Sequence, residues 1–385
     1  MSEQTIIATC AFGLEAITAR ELNKLGFDKL STENGRISFK GDFKDIARCN
    51  IHLRTADRIL LKIADFDAYD FEQLYQKTRA IRWEDIIPQN GKMHIIGKSV
   101  KSALHSVPAC QSTVKKAVVE AMQRKYSCDK FPENGPVYKI EISILKNQAS
   151  LSIDTSGSGL HKRGYRTEAG EAPLRETLAA AMVILSRWDK SRLLVDPLCG
   201  SGTIAIEAAM IAQNIAPGLN RKFVSEDWPQ IPEPLWEDVR EEARKSIEKN
   251  NSPIIFASDI NRRVLRTAMD NADRAGVSDC ITFQGKGVEE FSSKKKFGVI
   301  ITNPPYGERL LEKQEAEELY KQMGKTFSML DNWSLFILTS HERFCEKFGR
   351  RADKNRKLYN GMIKCYLYSF FSKENPFKRE KLNNP

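Results

Sequence analysis

The sequence predicts an α/β protein: a doubly wound, parallel-type sheet in the C-terminal half, preceded by two smaller α+β units. Three observations carry this. From about residue 170 onward, short apolar strand segments alternate with helical ones, the pattern of a sheet covered on both faces. At 193–210 an apolar strand runs through a glycine-containing turn straight into an apolar helix. Before residue 155 the chain instead shows hairpin-like pairs and isolated amphipathic helices.

The first unit spans 1–64. Residues 5–12 read as a strand and 13–26 as a helix ending at Gly26, with Leu14, Ile17, Leu22 and Leu25 near helical spacing. A turn at Asn34-Gly35 opens a short strand at 35–41, and 43–61 reads as a helix running into a strand. In the second unit, 65–155, residues 71–81 are helical and 92–100 form a strand. Residues 106–126 form a helix with Ser112 and Thr113 as capping candidates. A hairpin follows, turning near Lys146-Asn147. The glycine-rich, basic stretch 156–170 reads as a mobile joint able to touch phosphates. The third unit, 171–385, offers strands at 193–199, 254–260, 280–285, 297–305, 334–340 and 362–371. Helices lie between them at 173–187, 202–213, 235–250, 261–275 and 313–331.

Composition narrows the function classes. The chain has 385 residues, enough for two or three domains, and a hydrophobic fraction of 41% that can build a core. No stretch approaches the roughly 18 continuous apolar residues of a membrane span, and the N-terminus lacks the pattern of a secretory signal, so a cytoplasmic location is expected. The eight cysteines are scattered without CxxC pairs or zinc-ligand spacing, so reduced thiols and no metal are expected. Sixty Lys and Arg against fifty Asp and Glu leave a net charge of +10, which suits a polyanionic partner. Candidate phosphate contacts are Lys115 and Lys116 in the second unit, Lys162, Arg163 and Arg166 in the joint, and Arg350 and Arg351 in the basic segment 341–361. That segment reads equally well as a solvated loop.

The chemistry concentrates at strand ends. Asp196 closes the strand at 193–199, and Gly200-Ser201-Gly202 then lets a ligand approach the backbone. The letters GSGTIA also match a dinucleotide fingerprint. However, the next acidic strand end, Asp259, lies far beyond the roughly 20 residues at which such folds place their ribose carboxylate. The most specific motif is Asn303-Pro304-Pro305-Tyr306 after the strand at 297–305. Two prolines fix a rigid turn and remove two donors, leaving the Pro304 carbonyl and the Asn303 side chain as acceptors beside an aromatic ring. Two acceptors and a stacking face suit an amino group on a planar heterocycle. Cys199, in the glycine turn, is poorly placed as a nucleophile for covalent chemistry and reads as a packing residue. His161 reads as a surface histidine.

The segments DPLCGSGT, SDI and NPPYGER resemble the cofactor and catalytic motifs of class I methyltransferases acting on exocyclic amines. HKRGYR, APLRETLAAAM and DPLCGSGTIAIEAA, in this order, resemble the bacterial THUMP-domain RNA methyltransferases. These are the UPF0020 family, typified by the N-terminal guanine-N2 methyltransferase half of RlmL. The resemblance implies a ferredoxin-like domain at 1–64, a THUMP RNA-binding domain at 65–155, a linker at 156–170 and a Rossmann-like, mostly parallel seven-stranded methyltransferase domain at 171–385. It implies S-adenosyl-L-methionine as cofactor, held by Asp196, Pro197, Cys199, Gly200, Gly202, Thr203, Asp259, Ile260, Glu290 and Asn303, with Asp259 on the ribose. Asn303, Pro304, Pro305 and Tyr306 would hold the target base. Where relatives often carry Asp-Phe, this chain has Glu290-Phe291.

The expected substrate is RNA, with guanine-N2 of 23S rRNA as the expected target. A base must be unpaired or flipped out to reach such a site. Three rivals remain open: adenine-N6 methylation of DNA or RNA, an NAD-linked oxidoreductase, and a non-catalytic RNA-binding factor of ribosome assembly. The sequence does not define an oligomeric state.

Overall fold

The computed structural model describes residues 3–166, 174–248, 254–306, 310–372 and 374. The N-terminal half contains β1 (Gln4–Cys10), α1 (Glu15–Lys24), β2 (Ser31–Glu33), β3 (Arg36–Gly41), α2 (Phe43–His52) and β4 (Ala56–Asp67). It continues with α3 (Phe71–Arg79), β5 (Lys92–Val100), α4 (Val107–Tyr126), β6 (Val137–Leu145) and β7 (Gln148–Asp154). Its strands form one seven-stranded sheet in the order β2-β3-β1-β4-β7-β6-β5. The pairing is antiparallel except for β5 with β6. Long β4 joins the two N-terminal units, pairing with β1 through Ile6↔Leu61 and with β7 through Phe66↔Ala149. The position 64/65 therefore lies inside a strand, and the two units share one sheet.

Local chemistry explains these elements. Asp42 caps α2 by accepting from the Asp45 amide at 3.0 Å, while Asp45 accepts from the Asp42 amide at 3.1 Å. Asp70 caps α3 through the Gln73 amide at 2.7 Å. The hairpin β6–β7 turns on Lys146 and Asn147, both left-handed with φ of 51° and 66°, as a tight two-residue hairpin turn requires. Ser112 and Thr113 do not cap α4. The helix starts at Val107, with Pro108 in its first turn, where a missing amide hydrogen costs nothing.

The C-terminal half contains α5 (Glu176–Ser186), β8 (Leu194–Asp196), α6 (Thr203–Ala212), α7 (Glu233–Lys245), β9 (Ile255–Ser258), α8 (Arg262–Arg274) and β10 (Ile281–Gln284). It ends with β11 (Val299–Thr302), α9 (Leu310–Ser328), β12 (Ser334–Thr339), α10 (Phe344–Phe348), β13 (Lys354–Asn360) and β14 (Ile363–Phe370). The sheet order is β10-β9-β8-β11-β12-β14-β13. The first five strands of that order run parallel, and β14 lies antiparallel to β12 and β13. β11 and β12 are buried along their whole length, as expected for a sheet covered on both faces. The basic segment 341–361 is not a loop: it folds into α10 and β13, with Phe344, Phe348 and Leu358 buried. Its strand escapes a periodicity reading because its charged residues, Lys354, Arg356 and Lys357, fall on both faces of it.

Among the contacts that join the halves, two features stand out. The segment after α6 reaches back to the N-terminal sheet: Trp228 stacks on Tyr138 at 4.8 Å, and the Gly218 amide donates to the Ile51 carbonyl at 2.9 Å. The second feature is the stretch 156–166, which is a packed joint and not a mobile one. Ser156, Leu160, Arg163 and Tyr165 are buried. The Arg163 guanidinium meets Glu207 of α6 at 3.3 Å and donates to the carbonyls of Leu160 at 2.6 Å and of Arg54. Tyr165 donates to the same Glu207 carboxylate at 3.2 Å. Arg163 thus cannot serve as a phosphate contact, because its charge is spent inside the protein.

A buried ion pair that loses one partner leaves an uncompensated charge. Arg163→Ala is therefore expected to lower stability in urea unfolding by about 3–5 kcal/mol. An unchanged unfolding midpoint with weakened polyanion binding would reinstate it as a surface contact.

Candidate active site

The sheet reverses its winding between β8 and β11, and ligands of open α/β sheets bind outside the strand ends at such a point. Asp196 ends β8 and Thr302 ends β11. The two are buried and joined: the Thr302 hydroxyl donates to Asp196 Oδ1 at 2.8 Å. Burial pushes the Asp196 carboxyl up to about 7, with the Thr302 and Leu198 hydrogen bonds pulling the other way.

The turn after Asp196 is built from two left-handed glycines for different reasons. Gly200, at φ 51°, faces open space, so a ligand can approach its backbone. A Cβ on Gly202, at φ 81°, would lie 3.0 Å from the Ala268 Cβ, so this glycine permits α6 to pack on α8. The Cys199 amide donates to the Ser258 carbonyl at 2.9 Å, which pins the turn to the end of β9. The Gly200 amide then donates to Asp259 Oδ2 at 3.0 Å, and the Asn261 amide to Oδ1 at 2.8 Å. Asp259 therefore stands beside the glycine turn, as adjacency of β8 and β9 requires. Ile260 follows it, 72% exposed, an apolar platform on the open side. Pro197 lends its carbonyl to the Ser258 hydroxyl at 3.5 Å. Burial drives the Cys199 thiol far above its ordinary range, which removes it as a nucleophile.

Two expected cofactor residues are engaged elsewhere. The Thr203 hydroxyl meets the Arg166 guanidinium and Ser201 Oγ, the latter at 3.3 Å, so it faces the joint. Glu290 is exposed and folds back to accept from the Gly287 amide at 2.9 Å in the short turn after β10.

At the end of β11 the Tyr306 hydroxyl donates to Asn303 Oδ1 at 2.6 Å, which orients the amide. The Cys365 thiol lies 3.5 Å from the same hydroxyl, and the Tyr306 ring packs against the core. Pro304 is buried and Pro305 exposed. Tyr320 of α9, fully buried, donates to the Pro305 carbonyl at 2.7 Å and holds the turn from behind. Residues 307–309 of the motif NPPYGER lie outside the described residues. Sequence reasoning missed Thr302, Tyr320 and Cys365. Tyr320 shares a helical stripe with Ala316, Met323 and Phe327, but periodicity signals burial and not where a hydroxyl points.

The basic candidates divide. Lys115 is held by Glu133 and by the Met93 carbonyl at 2.9 Å. Arg166 is held by the Leu174 carbonyl at 3.2 Å and by Glu176 at 3.5 Å. Lys116, Lys162, Arg350 and Arg351 are exposed.

An open glycine backbone, a carboxylate and an exposed apolar side chain together fit a nucleoside-bearing methyl donor. The fold and these strand ends define a class I methyltransferase, whose cofactor is S-adenosyl-L-methionine. Residues 163–369 match the family described as UPF0020: RMKL-like, methyltransferase domain. Residues 5–60 match the RlmL ferredoxin-like domain and 68–154 the THUMP domain. The chain belongs to this UPF0020 family of RlmL-like methyltransferases. It is 51% identical over 386 aligned residues, covering 100% of both chains, to YpsC of Bacillus subtilis (strain 168), described there as an RNA methyltransferase. It is 34% identical to the ribosomal RNA large subunit methyltransferase K/L of Syntrophotalea carbinolica, matching 96% of this chain but 54% of that longer protein. The solved structure of the methyltransferase SMU.472, complexed with SAH, superposes with a TM-score of 0.92 at 45% identity, covering 97% of this chain and 100% of that one.

Two outcomes test the geometry. Tyr306→Phe keeps the ring but frees the Asn303 amide, and is expected to lower kcat roughly tenfold, measured by methyl transfer from labelled cofactor. Since the folded Asp196 holds its proton to about pH 7 and its ordinary value is 3.8, its contribution to stability is complete below about pH 4 and is lost as pH rises to about 7. Urea unfolding across that range should show the wild type losing stability, by a few kcal/mol at most, relative to Asp196→Asn. Parallel pH profiles would refute the raised value.

Proposed function

We propose that this protein transfers a methyl group from S-adenosyl-L-methionine to an exocyclic amine of a base in RNA, most specifically guanine-N2 of large-subunit rRNA. The observation that carries the reading is the Asn303–Tyr306 turn, braced by Tyr320 and set at the switch point beside the glycine turn. The methyltransferase K/L relative, acting on ribosomal RNA by its printed name, supports the substrate class, as does the THUMP domain match.

When bound, the cofactor supplies a methyl group activated by its sulfonium. The Gly200 backbone, Asp259 and Ile260 would hold its nucleoside part, the carboxylate accepting from hydroxyl groups and Ile260 covering a flat ring. Asn303 Oδ1 and the Pro304 carbonyl accept from the amino group of the target base and turn its nitrogen lone pair toward the methyl. The nitrogen forms the new C–N bond as the C–S bond breaks, and one amine proton passes to solvent, so no strong base is needed. The chain's contribution is placement, through Asn303, the rigid prolines and the half-buried Tyr306. A base inside a duplex cannot reach a site at the strand ends of a sheet, so a loop, or a base flipped out at a cost of a few kcal/mol, is the substrate. Exposed Lys116, Lys162, Arg350 and Arg351 are the remaining candidates to meet its phosphates.

Nucleosides from rRNA of cells with and without the gene should differ in N2-methylguanosine. Loss of N6-methyladenosine instead would reassign the base, and transfer to duplex DNA in preference to rRNA would overturn the RNA reading. Asn303→Ala should cut turnover by about a hundredfold or more with cofactor affinity within about twofold. Asp259→Ala should mainly weaken cofactor binding, by roughly tenfold in calorimetry.

A further inference from the structure

A recess lies where the N-terminal half meets the last hairpin. It is a cavity of about 430 Å³ lined by Ala11, Phe12, Asp57, Arg175, Lys357, Tyr359 and Gly361. That volume is within the roughly 300–1,000 Å³ of small-ligand sites. Neither half forms it alone: Ala11 and Phe12 lie in the loop after β1 and Asp57 in β4, while Lys357 and Tyr359 come from β13.

Its walls are fixed by close backbone packing. Gly13 stands at φ 92°, and a Cβ there would come 2.8 Å from the Lys357 carbonyl, so the loop after β1 lies directly on β13. The Arg356 guanidinium donates to the Gly13 carbonyl at 3.1 Å. Asn360 Oδ1 accepts from the Arg175 amide at 3.1 Å, which ties the hairpin to the start of α5. Within this frame Phe12 is 56% exposed, and its ring stands edge-on to Tyr359 at 6.1 Å and 82°. The Lys357 ammonium lies 5.5 Å from the Tyr359 ring. The recess thus offers two aromatic rings at right angles, two cations and one carboxylate, Asp57, whose Oδ1 also accepts from the Thr177 hydroxyl at 3.2 Å.

Recess and target site meet on the last hairpin, at neighbouring residues whose side chains point to opposite faces of it. Leu358, next to Tyr359, is the cross-strand partner of Cys365, and the Cys365 thiol lies 3.5 Å from the Tyr306 hydroxyl. An aromatic face for a base, cations for a phosphate and an acceptor for a base N–H are the groups by which single-stranded nucleic acid is held. We propose that this recess binds a nucleotide next to the methylated one in a single-stranded RNA segment, its base stacked on Phe12 or Tyr359 and its phosphate met by Lys357 and Arg175. The proposal rests on the RNA reading above. It makes the N-terminal half a part of substrate placement, since Phe12 and Asp57 reach the substrate one step from the reacting base.

The experiment measures anisotropy of a short fluorescein-labelled single-stranded RNA of mixed sequence, with the full-length protein and Phe12→Ala, Tyr359→Ala and Phe12→Trp. Each alanine is expected to weaken binding roughly tenfold, with Phe12→Trp close to wild type and cofactor affinity by calorimetry unchanged. In methyl transfer the same alanines should raise KM for RNA while changing kcat by less than about threefold. Phe12 is exposed, so its replacement leaves the fold intact, which thermal melting verifies. Alanine variants that bind within about twofold of a binding wild type overturn the recess and leave the RNA reading standing. A wild type that binds no RNA overturns both. Aromatic-dependent binding without any methyl transfer supports the recess and sinks the proposed reaction.

Discussion

The arrangement depends first on the buried Arg163–Glu207 contact. Glu207 stands on α6, the helix that rises from the glycine turn, and Arg163 also holds carbonyls at Leu160 and at Arg54 between α2 and β4. One guanidinium therefore links the helix behind the cofactor turn to the sheet of the N-terminal half. A charge pair so deeply buried contributes little net stability against an apolar substitute, but loss of one partner is severe. Its evident consequence is geometric: the N-terminal half has a defined position against α6, where a flexible joint would leave it free.

The site itself is an assembly of strand ends, each held by a neighbour distant in sequence. Thr302 holds Asp196, Asp259 holds the Gly200 amide, and Tyr320 holds the Pro305 carbonyl. None of these bonds joins groups within one element. The glycine turn and the Asn-Pro-Pro-Tyr turn are thus rigid before any ligand arrives, and less ordering is required when one binds.

Much of this was legible in the chain. The strand at 297–305, the two glycines and the acid after 254–258 stand out because local rules govern them: apolar runs, positive φ and proline rigidity. The hairpin at Lys146-Asn147 stood out for the same reason. The joint at 156–166 misled, since glycines and basic residues describe a flexible, solvated segment equally well, and only a partner carboxylate on α6 reverses that meaning. The strand β13 was hidden by its charges, because an edge strand with charged residues on both faces looks like a loop.

By itself, the sequence determined the order of elements, the doubly wound class of the C-terminal sheet, and the residues at its two motif-bearing strand ends. These follow from interactions within a few residues of each other. Only the tertiary structure decided that Arg163 and Thr203 face inward, that Gly202 serves helix packing, and that Phe12 and Tyr359 share one recess. Each of those outcomes turns on what stands opposite a side chain, and that is set by contacts between segments far apart along the chain.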